Sequence, residues 1–208
     1  MKRNSYGIGE VKIDVVKKNV VVEKEVLVSE GSYGGFRISI IINKLMNNVF
    51  SISDKFKLNI EKRIVEEGNN LKLNESDGNE YLFNVKDGNT YISEKYSGKV
   101  IRKTTTGYVV YDEEYNEEIY DLAGRIKEVK DRLGNIIYTY TYTNNKLTRF
   151  SSVSGNSIEI EYGTTTKVKV LGNVALEVNG NDILIGNVNY NIEKTIECLR
   201  VKSLKSGI

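Results

Sequence analysis

From Ile136 to Thr143 the chain alternates Tyr138, Tyr140 and Tyr142 with Thr139, Thr141 and Thr143. A period of two built from strong strand formers excludes a helix here and puts the three rings on one face of a β-strand. This strand belongs to an internal repeat. Tyr120-Asp121 and Gly124-Arg125-Ile126 lead to Asp131-Arg132-Leu133-Gly134-Asn135. The pattern then recurs, with Tyr142 for Tyr120, Asn145-Lys146-Leu147 for Gly124-Arg125-Ile126 and Gly155-Asn156 for Gly134-Asn135. A spacing of roughly 20 residues falls in the range of units that stack into continuous arrays. Gly134-Asn135 and Asn144-Asn145 supply the left-handed conformation that tight turns between such strands need.

The rest of the chain carries the same punctuation. Val11, Ile13 and Val15, then Val20 and Val22, then Val26 and Val28 alternate with charged residues as two or three half-buried strands, with Lys17-Lys18-Asn19 as a turn. Phe36 to Ile42 reads as a strand buried on both faces at its end, and Asn43 to Asn48 as a loop around Lys44-Leu45-Met46, the one local patch of helix formers. A meander follows, opening with one long strand from Ile52 to Val65. Asx-Gly and Gly-Asx turns separate most of its strands, and connections this short pair neighbours antiparallel. The predicted fold is all-β: a curved antiparallel meander of roughly 15 or more strands with almost no helix. Residues 1 to 49, 50 to 165 and 166 to 208 divide it into N-terminal strands, repeat-bearing meander and C-terminal strands, expected to form one continuous unit.

The segment Tyr-Asp-x-x-Gly-Arg-Ile followed by Asp-x-x-Gly-Asn and an aromatic strand resembles the YD-repeat, or rearrangement-hotspot, family, whose members include bacterial polymorphic toxins, insecticidal toxin complexes and the teneurins. Weaker versions lie upstream at Asp77-Gly78-Asn79 and Asp87-Gly88-Asn89, and Phe56 to Ile64 is similar to the family's lead-in strand without its Gly-Trp opening. The resemblance covers about residues 50 to 165. It implies a coiling ribbon of antiparallel strands built from Tyr120, Asp121, Gly124, Arg125, Asp131, Gly134 and Asn135. In large members that ribbon closes into a shell, for which this chain is too short. The family's carboxyl-terminal core and its self-cleavage signature are missing.

Composition narrows the chemistry. The 208 residues contain no His, no Pro and no Trp, with Tyr 14 and Gly 18. A histidine base is therefore impossible, and with it the usual Ser-His-Asp, Cys-His and zinc-histidine sites. Carboxylate pairs of the glycosidase kind stay open. The densest acidic patch, Asp112, Glu113, Glu114, Glu117 and Glu118, reads as a solvated turn, with a weak Ca²⁺ site or a catalytic pair as alternatives. Net charge is +2 and no basic stripe interleaves with aromatics, so nucleic acid is not an expected partner. Cys198 is the only cysteine and reads as a small hydrophobe beside Ile196 and Leu199.

The amino-terminal stretch lacks the apolar run of a cleavable signal peptide, and no stretch is apolar enough to span a membrane as a helix. A cytoplasmic product that assembles into a virion or cell-surface particle fits these features. Besides a carboxylate-based glycosidase or lyase, two functions are open. In the first, the chain is a non-enzymatic structural or adaptor protein without cofactor, offering a β-surface to itself or to other subunits of a larger assembly such as a phage particle, because an unclosed ribbon leaves strand edges to be paired. In the second, Tyr138, Tyr140 and Tyr142 point outward and bind surface glycans. If those rings are core instead, their replacement by Ala unfolds the domain.

Overall fold

The computed structural model describes residues 2–6, 9–14, 19–29, 34–43, 52–53, 55–194 and 199–204. Every element in them is a strand and every pairing is antiparallel. A small sheet orders β1 (Lys2–Tyr6), β2 (Gly9–Asp14), β3 (Asn19–Ser29), β4 (Phe36–Asn43) and β5 (Lys57–Leu58) in sequence. A 16-stranded meander continues from there. It begins with β6 (Arg63–Glu67), β7 (Asn70–Asn74), β8 (Glu80–Asp87), β9 (Thr90–Ile92), β10 (Lys99–Lys103), β11 (Gly107–Asp112), β12 (Glu117–Asp121) and β13 (Ile126–Lys130). It ends with β14 (Ile136–Thr143), β15 (Lys146–Ser152), β16 (Ser157–Glu161), β17 (Thr166–Val170), β18 (Asn173–Asn179), β19 (Asp182–Ile185), β20 (Val188–Lys194) and β21 (Leu199–Leu204). Each strand pairs only with its neighbours in sequence, as short turns require.

The long sheet coils on itself without closing into a barrel. Its first strand, β6, meets the turn between β12 and β13: the Ile64 amide donates to the Gly124 carbonyl at 2.8 Å, and Arg63 bridges Arg125. Bulges sit in β12–β13, β13–β14, β14–β15 and β17–β18, where they add bend and twist. The inward residues follow a period of two. Phe83, Ile101, Val110, Tyr120, Ile126, Tyr140, Leu147, Phe150, Ile158, Val168, Leu176 and Ile183 form one core cluster with Phe36, Ile38, Ile40 and Ile42 of β4. Each fully buried Leu or Ile contributes about 1.5–3 kcal/mol.

The small sheet packs on the inward face of the large one. The Phe36 ring meets Phe150 edge-on at 5.0 Å, the Tyr138 hydroxyl donates to the Gly35 carbonyl at 2.7 Å, and the Ser152 hydroxyl donates to the Gly34 carbonyl. At the other side Asn43 Nδ2 donates to the Gly78 carbonyl at 2.6 Å. β4 is buried on both faces along its second half, as its run of isoleucines requires.

One expectation changes. The strand from Ile52 to Val65 does not exist as one piece. Lys57–Leu58 ends the small sheet and Arg63–Glu67 starts the large one, with a turn at Asn59–Ile60 between them. The apolar alternation of Phe56, Leu58, Ile60 and Ile64 runs through both because both feed one core. The two or three strands expected over residues 8 to 30 are two, since Val20 to Val28 lie in the single strand β3 with a bulge between Glu25 and Leu27. Most of the expected turn at Lys17-Lys18-Asn19, most of the loop at Asn43 to Asn48, and Cys198 lie outside the described residues.

Candidate functional site

The repeat motif resolves into one five-residue turn used five times. At 112–116, 121–125, 131–135 and 152–156, and again at 75–79, the first residue's amide donates to the fifth residue's carbonyl and the fourth residue's amide donates back to the first carbonyl, at 2.8–3.2 Å. Asp131 shows why aspartate opens it. Its Oδ1 accepts the amides of Leu133 and Asn135 at 2.9 Å, and its Oδ2 accepts Asn135 Nδ2 at 2.9 Å. Asp112 does the same for Glu114 and Asn116. The fourth residue needs a positive φ, which Gly78, Gly124, Gly134 and Gly155 adopt at 79°, 72°, 83° and 86°. Tyr115 holds that place in the remaining copy at φ 63°.

Arg125 couples one repeat to the next. Its Nε donates to Asp121 Oδ2 at 2.8 Å, its guanidinium stacks 5.0 Å from the Tyr142 ring, and its Nη1 donates to Asn145 Oδ1 at 2.7 Å. The following repeat does likewise: Lys146 lies 4.7 Å over the Tyr162 ring. Tyr120 is fully buried, Tyr140 is buried, and Tyr138 and Tyr142 are half-buried against the core. Tyr138 and Tyr140 both pack on Phe150, at 5.2 and 5.1 Å. The tyrosine ladder is thus turned inward, while Thr141 and Thr143 are exposed.

Four charges alternate in a closed square. Lys62 Nζ lies 2.6 Å from Glu118 Oε1 and 3.2 Å from Glu75 Oε2, and Lys99 Nζ lies 2.6 Å from Glu75 Oε1 and 3.0 Å from Glu118 Oε1. The Tyr120 hydroxyl donates to Glu118 Oε2 at 2.7 Å. Burial pushes the Glu118 carboxyl up, but Lys62 and Lys99 outweigh it and hold it at about 2. Glu75 also lies below its ordinary value, because Lys62 and Lys99 overcome its desolvation. The Lys62 ammonium is held above its ordinary range against burial by Glu118 and Glu75. Both carboxylates stay ionised near neutral pH, so neither is a proton donor there. Lys62 immediately precedes β6 and Glu75 immediately follows β7, so the square ties those two strand ends to β10 and β12. Removing a single partner from such a cluster typically costs about 3–5 kcal/mol.

The square lay outside the sequence reading, which took Asp112 to Glu118 as one solvated acidic turn. The patch divides: Asp112, Glu113 and Glu114 form the turn, whereas Glu118 points inward on β12. Strand periodicity was the available signal, since Glu118 sits two residues before the buried Tyr120. Among the described residues no three metal-ligating side chains converge, and no helix is long and apolar enough to cross a membrane.

No family model and no curated protein matches this chain. Its surface has a concavity between β10 and the 112–116 turn. That groove encloses about 450 Å³ and is lined by Gly98, Val100, Arg102, Tyr111, Glu113 and Tyr115.

Proposed function

We propose that this chain is a non-enzymatic structural or adaptor protein of YD-repeat type, which joins copies of itself or other subunits of a larger assembly, such as a phage or phage-like particle, through strand pairing. The unclosed sheet carries this reading. Among the described residues β21 pairs only with β20, and β1 only with β2, so one side of each offers backbone donors and acceptors to another chain. By contrast, the edge at β6 is covered by the 121–125 turn. β21 also spans 6 residues, long enough for a paired strand. The ion square supports the non-enzymatic half of the proposal, because its buried carboxylates and lysines satisfy one another.

Sizing from low to high micromolar concentration, alone and mixed with the products of neighbouring genes, tests it. A stable higher-mass species should form, and in that species the amides of Leu199–Leu204 should exchange with deuterium more slowly than in the free chain. A monomer under all these conditions, or an assembly in which exchange in both β1 and β21 is unchanged, overturns it.

A further inference from the structure

The five sister turns differ in one respect that their shared geometry does not need. Four put glycine at the left-handed fourth position, and the 112–116 copy puts Tyr115 there. Non-glycine residues are disfavoured in that conformation. The side chain does not offset this by packing: Tyr115 is 75% exposed and stands outside the core cluster. It lines the groove instead, as does a second tyrosine, Tyr111.

The charges beside these rings are also uncommitted. Arg102 lies 5.5 Å over the Tyr111 ring, and among the described residues neither Arg102 nor Glu113 forms an ion pair. Gly98 keeps the wall low, since a Cβ there would come within 3.3 Å of Glu113 Oε1. A second concavity of about 500 Å³, reaching to Lys95 and Tyr96, shares Ser97, Gly98, Asp112 and Glu113 with the first. The two adjoin through these shared residues and form one groove.

We propose that this groove binds a neutral oligosaccharide, with pyranose rings stacked on Tyr111 and Tyr115 and their hydroxyls bonded by Arg102 and Glu113. Flat aromatic faces match the apolar faces of sugar rings, and a few convergent polar groups fix orientation. Arg102 and Glu113 cancel in charge, which favours a ligand rich in hydroxyls over an anion or a cation. The ladder Tyr138, Tyr140 and Tyr142 has no part in this site. The proposal is independent of the assembly reading.

The full chain should be screened on a broad printed array of neutral and acidic glycans, and hits titrated calorimetrically. A neutral oligosaccharide should bind with Kd below about 1 mM. Tyr115→Gly should weaken that binding at least tenfold while raising Tm, and Arg102→Gln should weaken it with Tm unchanged. Leu171→Gly relieves a similar strain at φ 50° on another hairpin, and should raise Tm without affecting binding. Binding only to acidic glycans, no glycan binding, or undiminished binding by Tyr115→Gly overturns the proposal.

Discussion

Lys57 is the residue whose environment departs furthest from its chemistry. It is fully buried at the end of the small sheet, and its ammonium donates to the carbonyl of Glu61 at 2.7 Å and to that of Glu75. Burial pulls its pKa from 10.5 down to about 8, against the opposing pull of Glu61, Glu75 and Asp77. The unfolded chain therefore holds this proton more tightly between about pH 8 and 10.5, and Lys57 makes stability rise with pH through that window. Lys57→Met has no such titration. Urea unfolding should show wild type gaining about 2 kcal/mol on the variant between about pH 7.5 and 9.5. A constant difference would mean that Lys57 does not lose its proton in the folded state. Nothing in the sequence around Lys57 marks it as buried, because a lysine between Phe56 and Leu58 looks like the wet face of a strand. The small sheet is covered on both sides here, and that is a tertiary fact.

At the scale of the element, Gly124 separates two demands that the repeat motif merges. Its φ of 72° is needed by the turn, as at Gly134, whose φ is 83°. Gly134 faces open space, whereas a Cβ on Gly124 would lie 1.8 Å from the Ile64 carbonyl oxygen. Gly134→Ala should therefore cost about 1–3 kcal/mol from backbone strain alone. Gly124→Ala should cost several kcal/mol more, because it forces β6 off the 121–125 turn. Thermal melts of the two variants measure the difference, and equal losses would show that the coil contact is not made in solution. The turn chemistry was legible: Asp, Gly and Asn at fixed offsets called for local backbone geometry, and the structure has it. The contact with β6 was not, because Ile64 and Gly124 are 60 residues apart and no periodicity links them. The ion square was hidden for the same reason, since Lys62, Glu75, Lys99 and Glu118 meet only when the sheet coils.

Over the whole molecule, tyrosine carries much of the interior. Tyr81, Tyr96, Tyr108, Tyr120, Tyr138, Tyr140 and Tyr142, out of 14 in the chain, all have their hydroxyl pKa raised, chiefly by burial. A raised folded-state pKa stabilises below the ordinary value of 10 and is lost as pH climbs past it, because the unfolded chain ionises first. Ultraviolet titration should show these phenols resisting ionisation near pH 10 and then releasing protons together as the protein unfolds. A single smooth titration of all tyrosines near pH 10 would contradict their burial. The all-β class and the serial pairing followed from alternation and short turns. The inward facing of the ladder was one of two open readings, decided by Phe150 and the small sheet lying against it.

The contact between β6 and Gly124 gives the coil a mechanical character. A meander that never touched itself would stretch like a ribbon, with each strand peeling from its neighbour in turn. Here the winding is locked where it first comes round, and Arg125 latches the same spot to Tyr142. Tension applied between β6 and β21 must load that lock and the long row of strand pairs beyond it, whereas peeling from β21 meets only the side-chain ties of Tyr190 to Lys24 and of Asn181 to Lys55, among the described residues, before Lys146 grips Tyr162. Under force, the molecule is soft at its carboxyl-terminal end and stiff at the winding that encloses the four charges.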